Sequence, residues 1–554
     1  MSDCLERSLK AALLVAALAL SAPITLAQTS EEPTAAVESE TTADAYQSAV
    51  AEVEAAAERN RTLTQEMGEQ TSEPVEGPQA QRARSVIDQL LEYLSPPQGE
   101  MGGFELDRDY TLVEEDDAFV ARFPSASWVQ DTARADFGPL VLTVNPLETD
   151  QSRLTVRLGQ VITLSDGAET LARIAIGEQN LTGIWDPELR TLAQGESHLE
   201  NVVAIAPENR VALRLERFDG NQILDRDPDE SWRQRQTLEL AGLTLEGGEH
   251  FALERLRGGF TLSGQNYAQM LEQSRQLQQA IEEMDPEDPQ AMEQLTEYLG
   301  GIYQAFSRFE GDLTLENLEV GDPQAGGTQV ALVSMETSFG EEEMVADPDS
   351  QSEATGGNWR YAFTLDGIQA DPDFAPPGLL PHSARLELGL TDIPHDLLGR
   401  VMEIGMESEQ IADDEMRQAF IGQRFLELLM SSDLGFFIQD SFVKAPEAQL
   451  NLRADIEVNP DAAFGAAGTL KLTVMGLDRI IQATGAGGDE SASQMATMLL
   501  MFSDRRQEEE QIIDTFDLRL TPEGMIYLNG KDLSPMLMGE GAPGMPGMME
   551  EPAQ

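Results

Sequence analysis

Asp225, Asp227 and Asp229 place three carboxylates at alternate positions, the spacing with which a calcium loop offers oxygen ligands to a hard cation. The sixth position of that run is Glu230, where the tight loop turn needs glycine. The twelfth is Gln236, where a bidentate glutamate belongs. The run therefore reads as a solvated hairpin turn. Met536, Met538, Met545, Met548 and Met549 offer soft thioethers of the kind that bind copper(I). No histidine or cysteine accompanies them, and glycine and proline surround them, so they read as a flexible tail. His198, His250, His382 and His395 are dispersed without ligand spacing. No nucleophile elbow, no His-Glu-x-x-His and no glycine-rich phosphate loop occurs. Hence no catalytic residue, metal or cofactor is assigned. Carboxylate pairs are so abundant that a hydrolase using two of them has no pair singled out by spacing. The candidates for ligand binding are apolar: Met416, Phe420, Phe425, Phe436 and Phe437. If the helices that carry them stand off a sheet, these adaptable side chains line a groove for a lipid chain. A closed core is the plainer use of the same residues.

The chain that must position them opens with Arg7 and Lys10, an apolar run from Ala11 to Leu20, the breaker Pro23, and small residues ending at Ala27. That order is a signal peptide, residues 1–27, and the run is shorter than the roughly 20 apolar residues a bilayer span requires. The expected location is a bacterial periplasm, without stable membrane insertion after cleavage. The one cysteine, Cys4, leaves with the signal, so the mature chain forms no disulfide and no thiolate site. Acidic residues number 99 against 36 basic, a net charge of −63, and only Lys10, Lys444, Lys471 and Lys531 are lysine. Such self-repulsion is relieved where salt screens it, over about 8 Å at physiological strength, which points to a salt-adapted protein. It argues against direct binding to nucleic acid or to anionic lipid headgroups, since both need basic patches.

Residues 28–82 are rich in Glu, Ala, Thr, Ser and Gln and read as an acidic linker, disordered or loosely helical. Ala45 to Arg61 could be helical, but its apolar face is mostly alanine. Order begins with a short amphipathic helix over Val86, Ile87, Leu90, Leu91 and Leu94, closed by Pro96 and Pro97. From 83 to 258 the period of two dominates, as in Leu140–Val144, Leu154–Leu158, Val211–Leu215 and Leu238–Leu240, and marks strands with one buried face.

From 259 to 534 a strand–helix–helix–strand pattern repeats three times. The first unit runs from Gly259–Leu262 through a helix with Tyr267, Met270 and Leu271 and the loop Asp285–Pro289. A second helix carries Met292, Leu295, Leu299, Ile302, Tyr303 and Phe306, and the return strand is Leu313–Leu315. The second runs from Leu386–Leu390 through Leu397, Leu398 and Val401, then Met416, Phe420, Leu426 and Leu429, to Leu450, Leu452 and Ile456. The third runs from Leu470–Val474 through Leu477, Ile480 and Ile481, then Met495, Met498, Leu499 and Phe502, to Phe516–Leu520 and Ile526–Leu528. Residues 535–554 form the tail. Neither a one-faced sheet nor an amphipathic helix pair is stable alone in water, so the pairs are expected to pack on the sheet. The expected class is α+β, β-rich, with an extended antiparallel sheet.

The third unit, Gly468 to Ile481, its helix Met495 to Phe502 and its ending Leu518 to Gly530 resemble the C-terminal part of an uncharacterised family of exported Gram-negative proteins, domain of unknown function family 2125. The likeness covers roughly the last 200 residues and consists of strand and helix pattern. It implies export and a β-rich body; the family has no established activity, so it implies no site residue. Similar strand endings occur in larger envelope proteins that handle lipids. Together these features lead to the expectation of a non-enzymatic periplasmic protein that binds an apolar, lipid-like ligand or an envelope protein. A carboxylate-dependent hydrolase and an interaction scaffold are the alternatives.

Overall fold

The computed structural model describes residues 40–69, 75–94, 103–273, 306–321, 327–340, 357–370, 378–486 and 500–534, with the single residues 276 and 298. Short breaks fall at 107–109, 117, 131, 207–209, 227–230, 247–249, 395–396, 410, 412–413, 433 and 509–510. The chain is β-rich, with its paired strands antiparallel, and divides into two compact units, residues 1–332 and 333–554.

Unit 1 begins with helices α1 (Glu40–Glu69) and α2 (Pro78–Leu94). Short strands β1 (Gly103–Leu106) and β2 (Thr111–Glu115) precede β3 (Ala118–Gln130), β4 (Ala133–Pro146), β5 (Ser152–Arg157) and β6 (Val161–Asp166). Six long strands follow: β7 (Glu169–Asp186), β8 (Thr191–Ala206), β9 (Val211–Arg226), β10 (Ser231–Glu246), β11 (Phe251–Gln265) and β12 (Phe306–Val320). β3 pairs with β1, β2 and β4, and β5 and β6 lie end to end between β4 and β7. From β7 to β12 each strand pairs with its successor.

The side-chain alternation of these strands serves two helices. Ile162, Leu164, Ile174, Ile176 and Val202 join Ala83, Val86 and Ile87 of α2 in the main core. Their neighbours Val161, Ala175, Val203 and Ile205 face the other way and meet Ala49, Val53 and Ala56 of α1. Trp185, wholly buried, donates from its ring nitrogen to Gln89 Oε1 of α2 at 3.1 Å. The described part of 28–82 is mainly helical, as the helical alternative for Ala45 to Arg61 expected, and it packs on the sheet. The alanine face of α1 is buried, and small side chains are what let a helix lie close on a sheet. Glu52 and Glu54 pair with Arg214 and Arg173 at 3.1 and 2.6 Å. Asn60 replaces a strand neighbour where β5 gives way to β6, donating to the Val161 carbonyl and accepting from the Gln160 amide. The second helix also starts earlier than the apolar residues suggested, at Pro78.

The first expected repeat is not confirmed as a helix-pair unit, since only its strands and the start of its first helix lie among the described residues. Gly259–Leu262 lie in β11, and residues 267–273 are helical, with Tyr267 against Trp232 at 5.1 Å between ring centres. The loop 285–289 and Met292, Leu295, Leu299, Ile302 and Tyr303 lie outside the described residues. Phe306 is a correction: it begins β12 rather than ending a helix.

β13 is Thr328–Gly340. Unit 2 contains β14 (Gly357–Asp366), β15 (Ser383–Ile393), helices α3 (Leu397–Glu409) and α4 (Asp414–Met430), then β16 (Gly435–Lys444), β17 (Gln449–Val458) and β18 (Ala466–Met475). Helix α5 (Leu477–Ala486) is followed by β19 (Asp504–Glu508), β20 (Gln511–Leu520), β21 (Ile526–Leu528) and β22 (Lys531–Asp532). β14 to β18 pair in sequence, β18 pairs with β20, and β20 also holds β19 and β21. Thr521 to Gly524 make the expected turn, with the Gly524 amide donating to the Thr521 carbonyl at 2.9 Å and Gly524 at φ +82°. Among the described residues α3 and α4 make their main contacts with each other. Packing of this helix pair on the sheet is not confirmed among the described residues, and the strand that follows the pair is β16, one earlier than expected. Met495, Met498 and Leu499 lie outside the described residues.

Candidate functional site

In unit 2 the period of two separates the side chains of β14 to β20 onto two faces. One face carries cross-strand rows of large apolar residues. Tyr361, Leu388, Ile438, Ala454, Leu470 and Leu518 stand in register from β14 to β20. A second row holds Trp359, Leu390, Phe436 and Ile456, and a third holds Leu452, Leu472 and Phe516. A sheet face of this kind ordinarily disappears beneath a second layer. Here Leu388, Leu390, Phe436, Ile456, Leu470 and Leu518 are only half-buried, and Leu386 is 40% exposed. A half-exposed apolar face of this kind is a candidate binding surface.

One end of the face is closed. Leu477, Ile480 and Ile481 of α5 pack with Val474, Phe516 and Leu472. An ion triad fastens that end. Arg505 donates to both oxygens of Asp514, from Nε at 2.8 Å and Nη2 at 2.9 Å, and to Asp478 in the first turn of α5 at 3.1 Å. The Asp514 side chain is 1% exposed. Burial alone would raise its pKa; the hydrogen bonds from Arg505 and Ser503 and the Arg505 charge outweigh that and hold the carboxyl below its ordinary value. The same hydrogen bonds, first to Asp514 and then to Asp478, hold the Arg505 guanidinium above its own.

The five residues proposed from sequence are not brought together as one groove. Phe436 belongs to the apolar face. Phe437, its neighbour on the strand, points to the opposite face, is 4% exposed, and stands directly opposite Gly389, whose missing side chain makes room for its ring. On α4, Met416 is 63% and Phe425 43% exposed, and Phe420 lies beneath the Arg424 guanidinium at 5.9 Å. The residues that build the half-open face, Leu388, Leu390, Leu470 and Leu518 among them, were readable as strand positions. Their exposure was not, because it depends on what the helices cover.

The Asp225–Glu230 run joins β9 to β10, and its residues 227–230 lie outside the described residues, as does His395. His198 lies on β8 between two carboxylates, with Nδ1 2.6 Å from Asp219 and Nε2 3.1 Å from Glu200. The Asp219 hydrogen bond chiefly raises its pKa; partial burial opposes this and Glu200 adds to it. This imidazole belongs to a charge ladder that continues through Arg217, Glu239, Arg255 and Glu316 across β8 to β12. The ladder ties neighbouring strands of the sheet together through paired charges. Among the described residues no three His, Cys, Asp or Glu side chains are disposed to hold a metal ion. Among them, too, no helix is long and apolar enough to cross a membrane. Comparison with protein-family models, with curated proteins and with solved structures finds no match.

Proposed function

We propose that the chain is a non-enzymatic periplasmic protein that holds an apolar, lipid-like ligand against the half-open sheet face of unit 2. The observation that carries this reading is the set of in-register apolar rows from β14 to β20 that stay half-exposed, sealed at one end by α5. An acyl chain suits such a surface because it needs area and no fixed polar partner. The signal-like N-terminus supports export, and membership of the exported family that the last strands resemble is part of the same proposal. So is a shared origin for the strand–helix–helix–strand units, of which the stretch from β15 to β16 supplies one example.

Native mass spectrometry of the protein purified from its own envelope tests the reading: bound lipid is expected, released by organic extraction. Leu470→Glu sets a charge in the middle of the apolar rows and is expected to abolish lipid retention. Thr469→Glu, on the opposite face of the same strand, is expected to leave it intact. Protein that carries no lipid, or equal retention by the two variants, overturns the proposal.

A further inference from the structure

The polar face of the unit 2 sheet holds a cleft of about 450 Å³ lined by Arg385, Asn451, Arg453, Lys471, Thr473 and Asp440. Cations are scarce in this chain, 36 against 99 acids, yet two of its four lysines, Lys444 and Lys471, lie on this face. Arg453 and Lys471 stand directly opposite each other on β17 and β18, a like-charge pair that costs stability unless an anion sits between them. Two residues along the same strands, Asn451 stands opposite Thr473. The Asn451 side-chain oxygen accepts from Gln449 at 3.0 Å, which leaves its NH2 group to donate. Two cations and two neutral donors thus occupy the corners of one patch. Directly opposite side chains lie roughly 5 Å apart and same-face neighbours along a strand roughly 7 Å apart, the scale of a tetrahedral oxyanion with its hydrogen bonds.

The acids near this patch, Asp440, Asp455 and Asp517, offset part of its charge. Glu387, buried, is held by Arg360 at 2.9 Å and Arg385 at 2.8 Å, so three groups sum to one positive charge. Asp440 approaches Arg453 only to 3.6 Å, and both are well exposed. Asp517 stands opposite Lys471 in register, but among the described residues no ion pair forms between them. The Lys444 ammonium lies over the Phe442 ring at 4.2 Å, beside the cleft.

We propose that this cleft binds an oxyanion of the phosphate class, with Arg453 and Lys471 supplying charge and Asn451 and Thr473 supplying neutral donors. The anion is either free phosphate or the phosphate of a lipid headgroup. The test is isothermal titration of the full chain with inorganic phosphate and, separately, with a water-soluble short-chain phosphatidic acid, at constant ionic strength near 0.15 M. Saturable binding is expected in at least one arm. Tighter binding of the phosphatidic acid identifies a headgroup, and equal or weaker binding identifies the free anion. Arg453→Gln with Lys471→Gln is expected to weaken binding roughly tenfold or more, since each removes a charge-assisted hydrogen bond. Both side chains are exposed, and an unchanged melting temperature without phosphate verifies the fold. Asp440→Asn removes the competing carboxylate and is expected to tighten binding. Absence of saturation in both arms, or a double variant that binds like the parent together with no gain from Asp440→Asn, overturns the proposal.

Discussion

Removing Arg505 should cost more than neutralising the carboxylate it holds. The Asp514 side chain is 1% exposed and that of Arg505 40%. Arg505→Met leaves a buried carboxylate without its counter-charge, for which roughly 3–5 kcal/mol is the expected loss. Asp514→Asn leaves Arg505 with Asp478 at 3.1 Å and with water, so the loss falls to the worth of a charged hydrogen bond, roughly 1.5–3 kcal/mol. Arg505→Met combined with Asp514→Leu removes both ions and should come within about 1 kcal/mol of the parent, since an apolar pair replaces a buried ion pair at little cost. The pH dependence follows from the sign of the shift. The folded Asp514 pKa lies below its ordinary 3.8, so its contribution is complete above 3.8 and disappears as pH falls through the lower folded value. In Arg505→Met both contributions of Arg505 are gone, and burial, which raises the pKa, is opposed by the Ser503 hydrogen bond alone. Acidification from neutral pH should then stabilise that variant. Urea unfolding, read alongside hydrogen exchange of the β19–β20 and α5 amides, measures all four proteins. Equal losses for the two single variants, or a double variant whose loss is their sum, would refute the argument that burial of Asp514 sets the asymmetry.

Three further outcomes follow from packing and charge. Ala56→Leu enlarges a wholly buried position between α1 and the sheet and should cost about 1–3 kcal/mol in thermal unfolding, whereas a spacer helix would show a change within about 0.5 kcal/mol. Gly389→Ala drives a methyl group into the Trp359 carbonyl oxygen and the Phe437 ring, so the melting temperature should fall, and Phe437→Leu in the same chain should recover part of the loss. His198 has a pKa raised above 6.5, so its contribution is complete below 6.5 and fades as pH rises through the folded value. His198→Gln should flatten the stability profile in that window, and an unchanged profile would show that the Asp219 contact does not hold the imidazolium.

Strands were legible because one-sided burial writes itself into the sequence as alternation. Leu386, Leu388 and Leu390 give their faces away, as do Leu470, Leu472 and Val474. Helix α1 was not legible as a packed element because its buried face is Ala49, Val53 and Ala56, which carries little hydrophobic signal. That face is nonetheless buried against the sheet, and Glu54 and Glu52 reach Arg173 and Arg214, each more than 100 residues away. The candidate site was half legible. Phe436 and Phe437 are adjacent in sequence, and a strand sends adjacent side chains to opposite faces, so a groove using both was available only to a helix. β16 also carries an extra residue near Asp440, which has φ +43°, and this bulge re-aims the strand between Ile438 and Ser441. No periodicity reading anticipates that shift.

The two faces of the unit 2 sheet pose opposite problems, and the charge of the chain bears on both. A half-exposed apolar face invites a second copy to cover it. A net charge of −63 opposes that encounter, because two chains must bring like charges within a screening length before Leu386 or Phe436 can touch. At physiological salt that length is about 8 Å, close to the reach of a side chain, so the repulsion acts at contact and leaves a small neutral ligand free to approach. The acid that keeps copies apart would equally repel an anion from the opposite face. Arg453 and Lys471 answer this only locally, since their field also falls away within the same length. If both proposals hold, the acidic surface, the apolar face and the cationic cleft of unit 2 would select by size and charge together: copies of like sign repel, an uncharged acyl chain meets no electrostatic barrier, and an oxyanion is held only where Arg453 and Lys471 stand opposed.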